Sequence, residues 1–213
     1  MQDYQQDLIE FALDRQVLRF GEFTLKSGRQ SPYFFNTGLF NTGEALWRLG
    51  QAYARCAIDA GLAFDMIFGP AYKGIPLVSA MSIALAAQQA KDYPYAFNRK
   101  EIKDHGEGGS VVGAPLHGRV LIVDDVISAG TSVAESVALI NQSGATLAGV
   151  LVALDRQERG QNAVSATQEV AAHYGVPVTA ILTLDTLVDY LTKQASTQAP
   201  LRAIQAYRAE YGV

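Results

Sequence analysis

The sequence predicts an α/β protein built on one doubly wound sheet of buried parallel strands. Short apolar runs alternate with segments of helix length, and the runs are continuously apolar, as in strands that helices cover on both faces. The runs are MIF, YAF, VLIV, GVLVAL and VTAILTL, and the helical segments span about 75–90, 131–143, 164–174 and 185–195. No repeat, low-complexity tract or proline-rich linker divides the chain, so we expect one domain over residues 1–213.

The N-terminal part departs from this alternation and is expected to cover the core. Apolar residues from Tyr4 to Ala12 are spaced as on one face of a helix. Residues 23–36, FTLKSGRQSPYFFN, alternate in polarity around a central Ser-Gly, which favours a β-hairpin. We therefore expect a covering segment over about 1–42. The α/β core and C-terminal helices would follow over about 43–213, beginning with a helix at about 43–60.

The composition excludes several classes of protein. A net charge of −4 disfavours a nucleic-acid-binding protein, which normally carries a basic surface. The single cysteine, Cys56, cannot form a disulfide framework or a thiolate metal site, and we expect it to be a buried thiol. The acidic N-terminus lacks the apolar stretch of a signal peptide, and no uninterrupted apolar run reaches about eighteen residues. We expect a cytoplasmic protein without membrane contact.

The stretch VLIVDDVISAGTS, residues 120–132, places two carboxylates directly before a turn of small and hydroxyl-bearing residues. The apolar run is expected to be a buried strand that delivers Asp124 and Asp125 at its carboxyl end, where ligands bind in this architecture. The N–H groups that begin the next helix suit a phosphate, while the carboxylates suit ribose hydroxyls or a nearby cation. A ribose 5-phosphate offers both kinds of group. The alternative is a simple helix cap.

A polar segment interrupts the α/β pattern at residues 99–113, RKEIKDHGEGGSVVG. Basic and acidic side chains are interleaved there, and a histidine and a glycine cluster follow. Because the segment has little apolar content with which to pack, we expect a flexible loop. A solvated surface loop of balanced charge is one interpretation, and a ligand-binding loop beyond the end of a strand is the other.

Five motifs follow one another along the chain: FTLKSGRQSPYFFN, FGPAYKGIPL, AFNRKEIKDHGEGG, VLIVDDVISAGTS and LDRQERG. In the same order they resemble the motifs of the bacterial orotate phosphoribosyltransferases, a branch of the type I phosphoribosyltransferases, in which VLIVDDVISAGTS resembles the signature for phosphoribosyl pyrophosphate (PRPP). The resemblance covers about residues 20–160. It implies the type I phosphoribosyltransferase fold, a doubly wound, mainly parallel sheet flanked by helices, with an N-terminal hood. It also implies Mg²⁺-dependent transfer of the 5-phosphoribosyl group from PRPP to orotate, a pentosyl transfer that yields orotidine 5′-monophosphate and pyrophosphate in UMP biosynthesis.

The same resemblance implies the PRPP-binding residues. They are Lys26, Tyr72, Lys73, Arg99, Lys100, Lys103, His105, Asp124, Asp125, Val126, Ile127, Ser128, Ala129, Gly130, Thr131 and Ser132. Lys26, Lys103, Asp124 and Asp125 are the expected catalytic residues among them. Ser128 stands where relatives commonly have threonine, which keeps the hydroxyl group. No residue is expected to be a metal ligand, since Mg²⁺ is carried mainly by PRPP and water in this family.

On the base side, the resemblance implies that orotate is bound by Phe34, Phe35, Ser128 and Arg156. A flat pyrimidine can lie on an aromatic face, and an arginine fork suits its carboxylate or ring oxygens. Adjacent phenylalanines in a hydrophobic core are the alternative interpretation. The resemblance further implies a homodimer with shared active sites, in which residues 99–109 form a lid that closes over the substrates.

Three other functions fit parts of the sequence. A phosphoribosyltransferase for adenine, uracil or another base would use the same PRPP motifs, although YFFN and LDRQERG disfavour it. A PRPP-sensing regulator would be expected to lack the lid cations and to add a basic DNA-binding extension. A phosphoaspartyl receiver could use the acidic pair but leaves the remaining motifs unexplained.

Overall fold

The structure is a computed structural model that describes residues 1–25, 27–89, 91–103, 109–128, 130–160, 163–194 and 197–213. Its N-terminal hood contains a helix and a two-stranded antiparallel sheet, and a longer helix follows. These elements are α1 (Asp3–Asp14), β1 (Leu18–Thr24), β2 (Gln30–Phe35), a short 3₁₀ helix (Thr37–Leu39) and α2 (Gly43–Asp59). The predicted N-terminal helix, hairpin and core helix are therefore confirmed.

The rest of the described chain alternates strands and helices around a six-stranded sheet. The elements are β3 (Met66–Gly69), α3 (Gly74–Gln89), β4 (Tyr95–Lys103), β5 (Gly109–Gly113), β6 (Arg119–Asp124), α4 (Thr131–Gln142), β7 (Thr146–Asp155), α5 (Ala166–Tyr174), β8 (Val178–Thr183), α6 (Leu184–Lys193) and α7 (Gln198–Tyr211). The strand order is β5-β4-β3-β6-β7-β8, and every pairing is parallel except that of β4 with β5. This is the predicted doubly wound, mainly parallel sheet.

Helices bury both faces of the sheet, and the alternation of side chains along β6 shows how. Leu121 and Val123 belong to a hydrophobic cluster that also holds apolar residues of α1, α2, α3, α6 and α7. Val120 and Ile122 belong to a second cluster, on the opposite face, with apolar residues of α4 and α5. Because successive strand residues point to opposite faces, a continuous apolar run is what a strand between two helical layers requires.

Two helices on the first face approach each other closely. A Cβ atom on Gly50 of α2 would lie 2.5 Å from the carbonyl oxygen of Ala80 in α3, so only glycine allows this spacing. The contact fixes α3 against α2, and the N-terminus of α3 follows directly after the turn that carries Lys73.

The loop prediction for residues 99–113 is wrong for most of that segment. β4 continues through Lys103, β5 begins at Gly109, and the two strands pair in an antiparallel hairpin. Residues 104–108 lie outside the described residues. The prediction relied on apolar content, but an antiparallel pair at the edge of a sheet is held by backbone hydrogen bonds and can face solvent on one side.

No helix in the described part of the chain is long and apolar enough to span a bilayer.

Candidate active site

The adjacent carboxylates Asp124 and Asp125 lie at the carboxyl end of the central strand β6, and both are buried, at 7% and 6% exposure. Their backbone is held from two sides. The Tyr53 hydroxyl of α2 donates a hydrogen bond of 2.7 Å to the Asp124 carbonyl, and the Asp125 carbonyl accepts from the Ala153 amide of β7 at 2.9 Å. Two buried acids therefore lie at the carboxyl ends of the strands, where ligands of α/β proteins bind.

Asp124 is held within its own segment of the chain. Its Oδ1 accepts from the Asp125 amide at 2.9 Å, and its Oδ2 accepts from the Ser132 hydroxyl of α4 at 3.1 Å. Burial, and secondly the neighbouring charge of Asp125, raise the pKa of Asp124 to about 6, while its hydrogen bonds and Lys73 oppose the rise. The carboxyl group therefore titrates much closer to neutral pH than an exposed aspartate.

Asp125 is the point at which three distant segments meet. Its Oδ2 lies 2.6 Å from Lys73 Nζ, in the turn between β3 and α3, and accepts from Thr37 Oγ1 at 2.9 Å. Its Oδ1 accepts from the Val126 amide at 2.8 Å. Lys73 is a predicted PRPP-binding residue, whereas sequence reasoning missed Thr37. A single threonine in the short 3₁₀ helix after β2 carries no chemical signal until the fold brings it to the carboxylate.

The turn after the acids leads into the N-terminus of α4. Gly130 is the N-cap residue, with a left-handed φ of 71°, and no side chain of the described chain caps the helix. The helix-cap interpretation of this motif is therefore wrong. The first N–H groups of α4, together with the positive end of the helix dipole, suit a phosphate group.

The remaining predicted residues of this turn lie around the same helix start. Ser128 is exposed, Val126 and Ile127 are half-buried, and Ala129 lies outside the described residues. The hydroxyl of Ser132 faces Asp124, which places it between the acidic pair and the helix start.

A second group of predicted residues lies on the turn after β3 and on β4. The Ala71 amide donates to Asn98 Oδ1 at 2.7 Å, which joins this turn to β4 just before Arg99. The peptide bond between Ala71 and Tyr72 is cis. Tyr72 is 63% exposed, and Lys100 Nζ lies 5.2 Å from the centre of its ring. The structure thus brings Tyr72, Lys73 and Lys100 together.

Three further predicted residues lie wholly or partly outside the described residues. The backbone of Lys103 ends β4, but its side chain lies outside the described residues, as do Lys26 and His105. Their assignments remain predictions.

The two predicted orotate-binding phenylalanines have different environments. Phe35 packs against the larger hydrophobic cluster, which agrees in part with the interpretation as core residues. Phe34 stacks on Phe23 of β1 with ring centres 5.5 Å apart, and the Arg19 guanidinium lies 5.7 Å from its ring. Thr37 follows the last residue of β2 by two positions and donates a hydrogen bond to Asp125. The two phenylalanines are therefore close in the chain to a residue that contacts the acidic pair.

Arg156 follows β7 and is largely buried, with 20% of its side chain exposed. Its Nε donates to Glu158 Oε1 at 2.6 Å, and its Nη2 donates to the Ser31 hydroxyl of β2 at 2.8 Å. Its guanidinium lies 4.1 Å from the centre of the Tyr33 ring. Because β6 and β7 are parallel neighbours, Arg156 and the acidic pair lie at the same end of the sheet, beyond the carboxyl ends of the two strands. The hydrogen bond to Ser31 connects Arg156 to β2, the strand that contains Phe34 and Phe35. Glu158 and Ser31 were not predicted as site residues.

Comparisons with known proteins indicate the same family as the sequence motifs. Residues 41–173 match the family model described as "Phosphoribosyl transferase domain". The chain is 62% identical over 213 residues to an orotate phosphoribosyltransferase of Thiobacillus denitrificans, and 59% identical over 213 residues to one of Cronobacter sakazakii; each match covers 100% of both chains. The crystal structure of the Francisella tularensis orotate phosphoribosyltransferase superposes with a TM-score of 0.88 at 44% identity, covering 97% of this chain and 100% of that one.

Proposed function

This chain belongs to the phosphoribosyltransferase family and, within it, to the orotate phosphoribosyltransferases, and we propose that PRPP and orotate react at the carboxyl end of β6. The reaction transfers the 5-phosphoribosyl group to orotate and yields orotidine 5′-monophosphate and pyrophosphate, a step in pyrimidine nucleotide biosynthesis. The observation that carries the site assignment is the buried pair Asp124 and Asp125, which lies directly before a helix start without a side-chain cap.

In the proposed complex, the 5-phosphate of PRPP binds residues 128–132 at the N-terminus of α4, and the ribose 2- and 3-hydroxyls donate to Asp124 and Asp125. This placement matches the two kinds of group that a ribose phosphate carries. As the bond to pyrophosphate breaks, positive charge develops on the ribose. The carboxylates lie buried and already oriented beside it, so they can stabilise that charge without reorganising.

We propose that the pyrophosphate is bound by the cations of the turn after β3 and of β4, namely Lys73, Arg99, Lys100 and Lys103, together with His105, Tyr72 and Lys26. Lys73 supports this role because it already faces the site through Asp125. A diphosphate carries several negative charges and would compete with Asp125 for the Lys73 ammonium.

Mg²⁺ would enter with PRPP. The oxygens of Asp124 and Asp125 are of the type that Mg²⁺ prefers, but Asp125 Oδ2 is shared by Lys73 and Thr37. PRPP oxygens and water would therefore complete most of the coordination. When bound, the ion supplies positive charge to the departing pyrophosphate.

Orotate would bind between β2 and the turn after β7, where Arg156 is held against Tyr33 and Ser31. The Arg156 guanidinium suits a carboxylate or ring oxygen of orotate. Phe34 and Phe35, which follow Tyr33 in β2, offer aromatic surface. Ser128, in the turn that binds the 5-phosphate, would also contact the base.

We propose a homodimer in which the sites are shared, and the surface of α3 supports it. This helix is apolar on all sides, a pattern typical of helices that are covered all round, yet Ile83 is 66% exposed. A second subunit over α3 would bury it close to the Lys73 turn. Light scattering should give a mass of two chains, and a mass of one chain would contradict the proposal.

We also propose that residues 1–213 form a single phosphoribosyltransferase domain that acts in the cytoplasm. Elements outside the matched range 41–173 support the first point, since Ile9 of α1, Leu187 of α6 and Ile204 of α7 share one hydrophobic cluster with Ile67 of β3. A core that draws on both ends of the chain is typical of one folding unit.

The function is tested by following orotate absorbance after PRPP and Mg²⁺ are added, with product analysis for orotate, adenine and uracil in parallel. We expect pyrophosphate and orotidine 5′-monophosphate from orotate, and no product from the other two bases. Turnover of adenine or uracil alone would contradict the assigned base. Saturable PRPP binding without turnover of any base would instead indicate a PRPP sensor.

A further inference from the structure

The turn that carries Arg156 is held in an unusual backbone conformation. Gln157 has φ 50°, in the left-handed region that residues other than glycine seldom adopt. Such a conformation persists where surrounding contacts determine it, and it often accompanies a functional site. At this position the kink lies between Arg156 and Glu158, whose side chains form a hydrogen bond of 2.6 Å although they are two residues apart.

The contacts that hold Gln157 come from three parts of the chain. Its amide donates to Asp155 Oδ1 at 2.8 Å, its side chain donates to Asp185 Oδ2 at 2.9 Å, and its carbonyl accepts from the Val213 amide at 3.0 Å. Its Oε1 also accepts from the Asp185 amide at 2.8 Å. The turn is therefore anchored to β7, to the N-terminus of α6 and to the segment after α7.

Glu158 connects this anchored turn to Arg156. Besides accepting from Arg156 Nε, it forms an ion pair of 3.6 Å with Arg29, and its backbone pairs with Gly212. The side chain of Glu158 is 13% exposed, so its interaction with Arg156 is poorly screened by water. Asp155 is not an equivalent partner for Arg156, because its oxygens accept from the Gln157 amide and from Thr167 Oγ1.

A second contact comes from the hood. The Ser31 hydroxyl accepts from Arg156 Nη2 at 2.8 Å and donates to the Tyr33 carbonyl at 2.7 Å. Since the guanidinium is planar, hydrogen bonds at Nε and Nη2 fix the direction of the whole group. The Tyr33 ring, 4.1 Å from the guanidinium carbon, restrains it further.

We propose that Glu158 and Ser31 are positioning residues that fix the plane of the Arg156 guanidinium for orotate, an inference that rests on the proposed function. Neither needs to touch the substrate. Two guanidinium groups, those of Arg29 and Arg156, contact the one Glu158 carboxylate, and a guanidinium beside the base position suits an anion. An arginine held in one orientation loses less conformational freedom when it binds, so its positioning is expected to strengthen the binding of orotate rather than of PRPP.

The test compares Glu158→Gln and Ser31→Ala with the unaltered protein in steady-state assays that vary orotate and PRPP separately. Glu158→Gln keeps the shape but removes the carboxylate charge that pairs with Arg156, and Ser31→Ala removes the second acceptor. We expect KM for orotate to rise about fivefold in each, with KM for PRPP and kcat within about twofold. Glu44→Gln is the matched control, because Glu44 also pairs with arginines but lies on the exposed surface of α2. It should change none of these values.

Arg156→Ala separates failure of this inference from failure of the proposed function. If it leaves KM for orotate unchanged, Arg156 does not bind orotate, which overturns its proposed role and with it the positioning roles, whereas the proposed function fails only if orotate is not turned over. If it raises KM for orotate while the folded Glu158→Gln and Ser31→Ala variants leave it unchanged, only the positioning roles are overturned. A loss of kcat with both KM values unchanged would also overturn them.

A double variant tests whether Glu158 acts through Arg156. In the Arg156→Ala background, Glu158→Gln should have no further effect on KM for orotate, whereas an undiminished effect would contradict the positioning role. Thermal unfolding identifies any variant that does not fold. If Glu158→Gln is such a variant, Ser31→Ala, in a different element and with Glu158 intact, carries the test.

Discussion

Lys73 Nζ and Asp125 Oδ2 lie 2.6 Å apart, so one cation and one of the two acids of the site neutralise each other before substrate binds. Asp124, the next residue in the chain, is instead held by the Asp125 amide and the Ser132 hydroxyl, and its pKa is raised to about 6. The two adjacent carboxylates therefore have different partners, a cation for Asp125 and neutral donors for Asp124. A diphosphate that draws Lys73 away would leave Asp125 free to accept a ribose hydroxyl.

The raised pKa of Asp124 predicts a pH-dependent stability. Its folded pKa of about 6 lies above the ordinary value of 3.8, so the folded state holds the proton more tightly and loses stability as pH rises from about 4 to 6. Asp124→Asn removes this dependence. We expect the unfolding free energy of the unaltered protein to fall relative to the variant by about 2 to 3 kcal/mol over that interval, as measured by urea unfolding at several pH values. Parallel pH curves for the two proteins would contradict it.

Thr37 should position Asp125 for PRPP. Thr37→Val keeps the buried shape and removes the hydroxyl that donates to Asp125 Oδ2, so we expect kcat/KM for PRPP to fall about fivefold. Thr37→Ser retains the donor and is the matched control, with an expected change below about twofold. An unchanged kcat/KM in Thr37→Val, or a loss in Thr37→Ser alone, would contradict the role of the hydrogen bond.

Gly50 should be required for the packing of α2 against α3. The Cβ of Gly50→Ala would lie 2.5 Å from the Ala80 carbonyl oxygen, so the helices would have to separate, at a cost of about 2 kcal/mol. Gly43→Ala, at the first residue of the same helix, has no heavy atom within 4 Å of the new Cβ and should be neutral or slightly stabilising. Thermal unfolding of both variants measures the difference, and equal Tm values would contradict the close packing.

Lys103→Ala should reduce turnover while the fold remains stable. Lys103 ends β4, close in the chain to Arg99 and Lys100, and its proposed role is to stabilise the leaving pyrophosphate. We expect kcat to fall by about a hundredfold, as for the loss of a group that acts on developing charge, with Tm nearly unchanged. Lys193→Ala, at an exposed position at the end of α6, is the control and should keep full activity. Unaltered kcat in Lys103→Ala would remove the residue from the mechanism.

The sequence was most informative where a local pattern has one structural solution. The apolar run before Asp124 can be buried on both faces only between helical layers, and the run predicted β6 and the position of the acids. The β4–β5 hairpin was missed because it is held by backbone pairing, which side-chain polarity does not report. Local patterns therefore predicted the central strand β6 but not the antiparallel hairpin at the edge of the sheet.

Contacts between distant segments could not be predicted in the same way. Thr37 meets Asp125 from the hood, and Ser31 meets Arg156 from β2. A serine in a strand or a threonine in a short 3₁₀ helix has no periodicity or spacing that indicates its partner. The left-handed turn at Gln157 was equally hidden, because glutamine does not signal a positive φ as glycine does.

A crystal structure of this protein with PRPP and Mg²⁺ would show directly whether PRPP binds where β6 ends and α4 begins. We expect the 5-phosphate at residues 128–132, at the start of α4, with the ribose hydroxyls within hydrogen-bonding distance of Asp124 and Asp125 and with Lys73 moved toward the pyrophosphate. A ribose bound away from both carboxylates, with the Lys73–Asp125 ion pair intact, would contradict it.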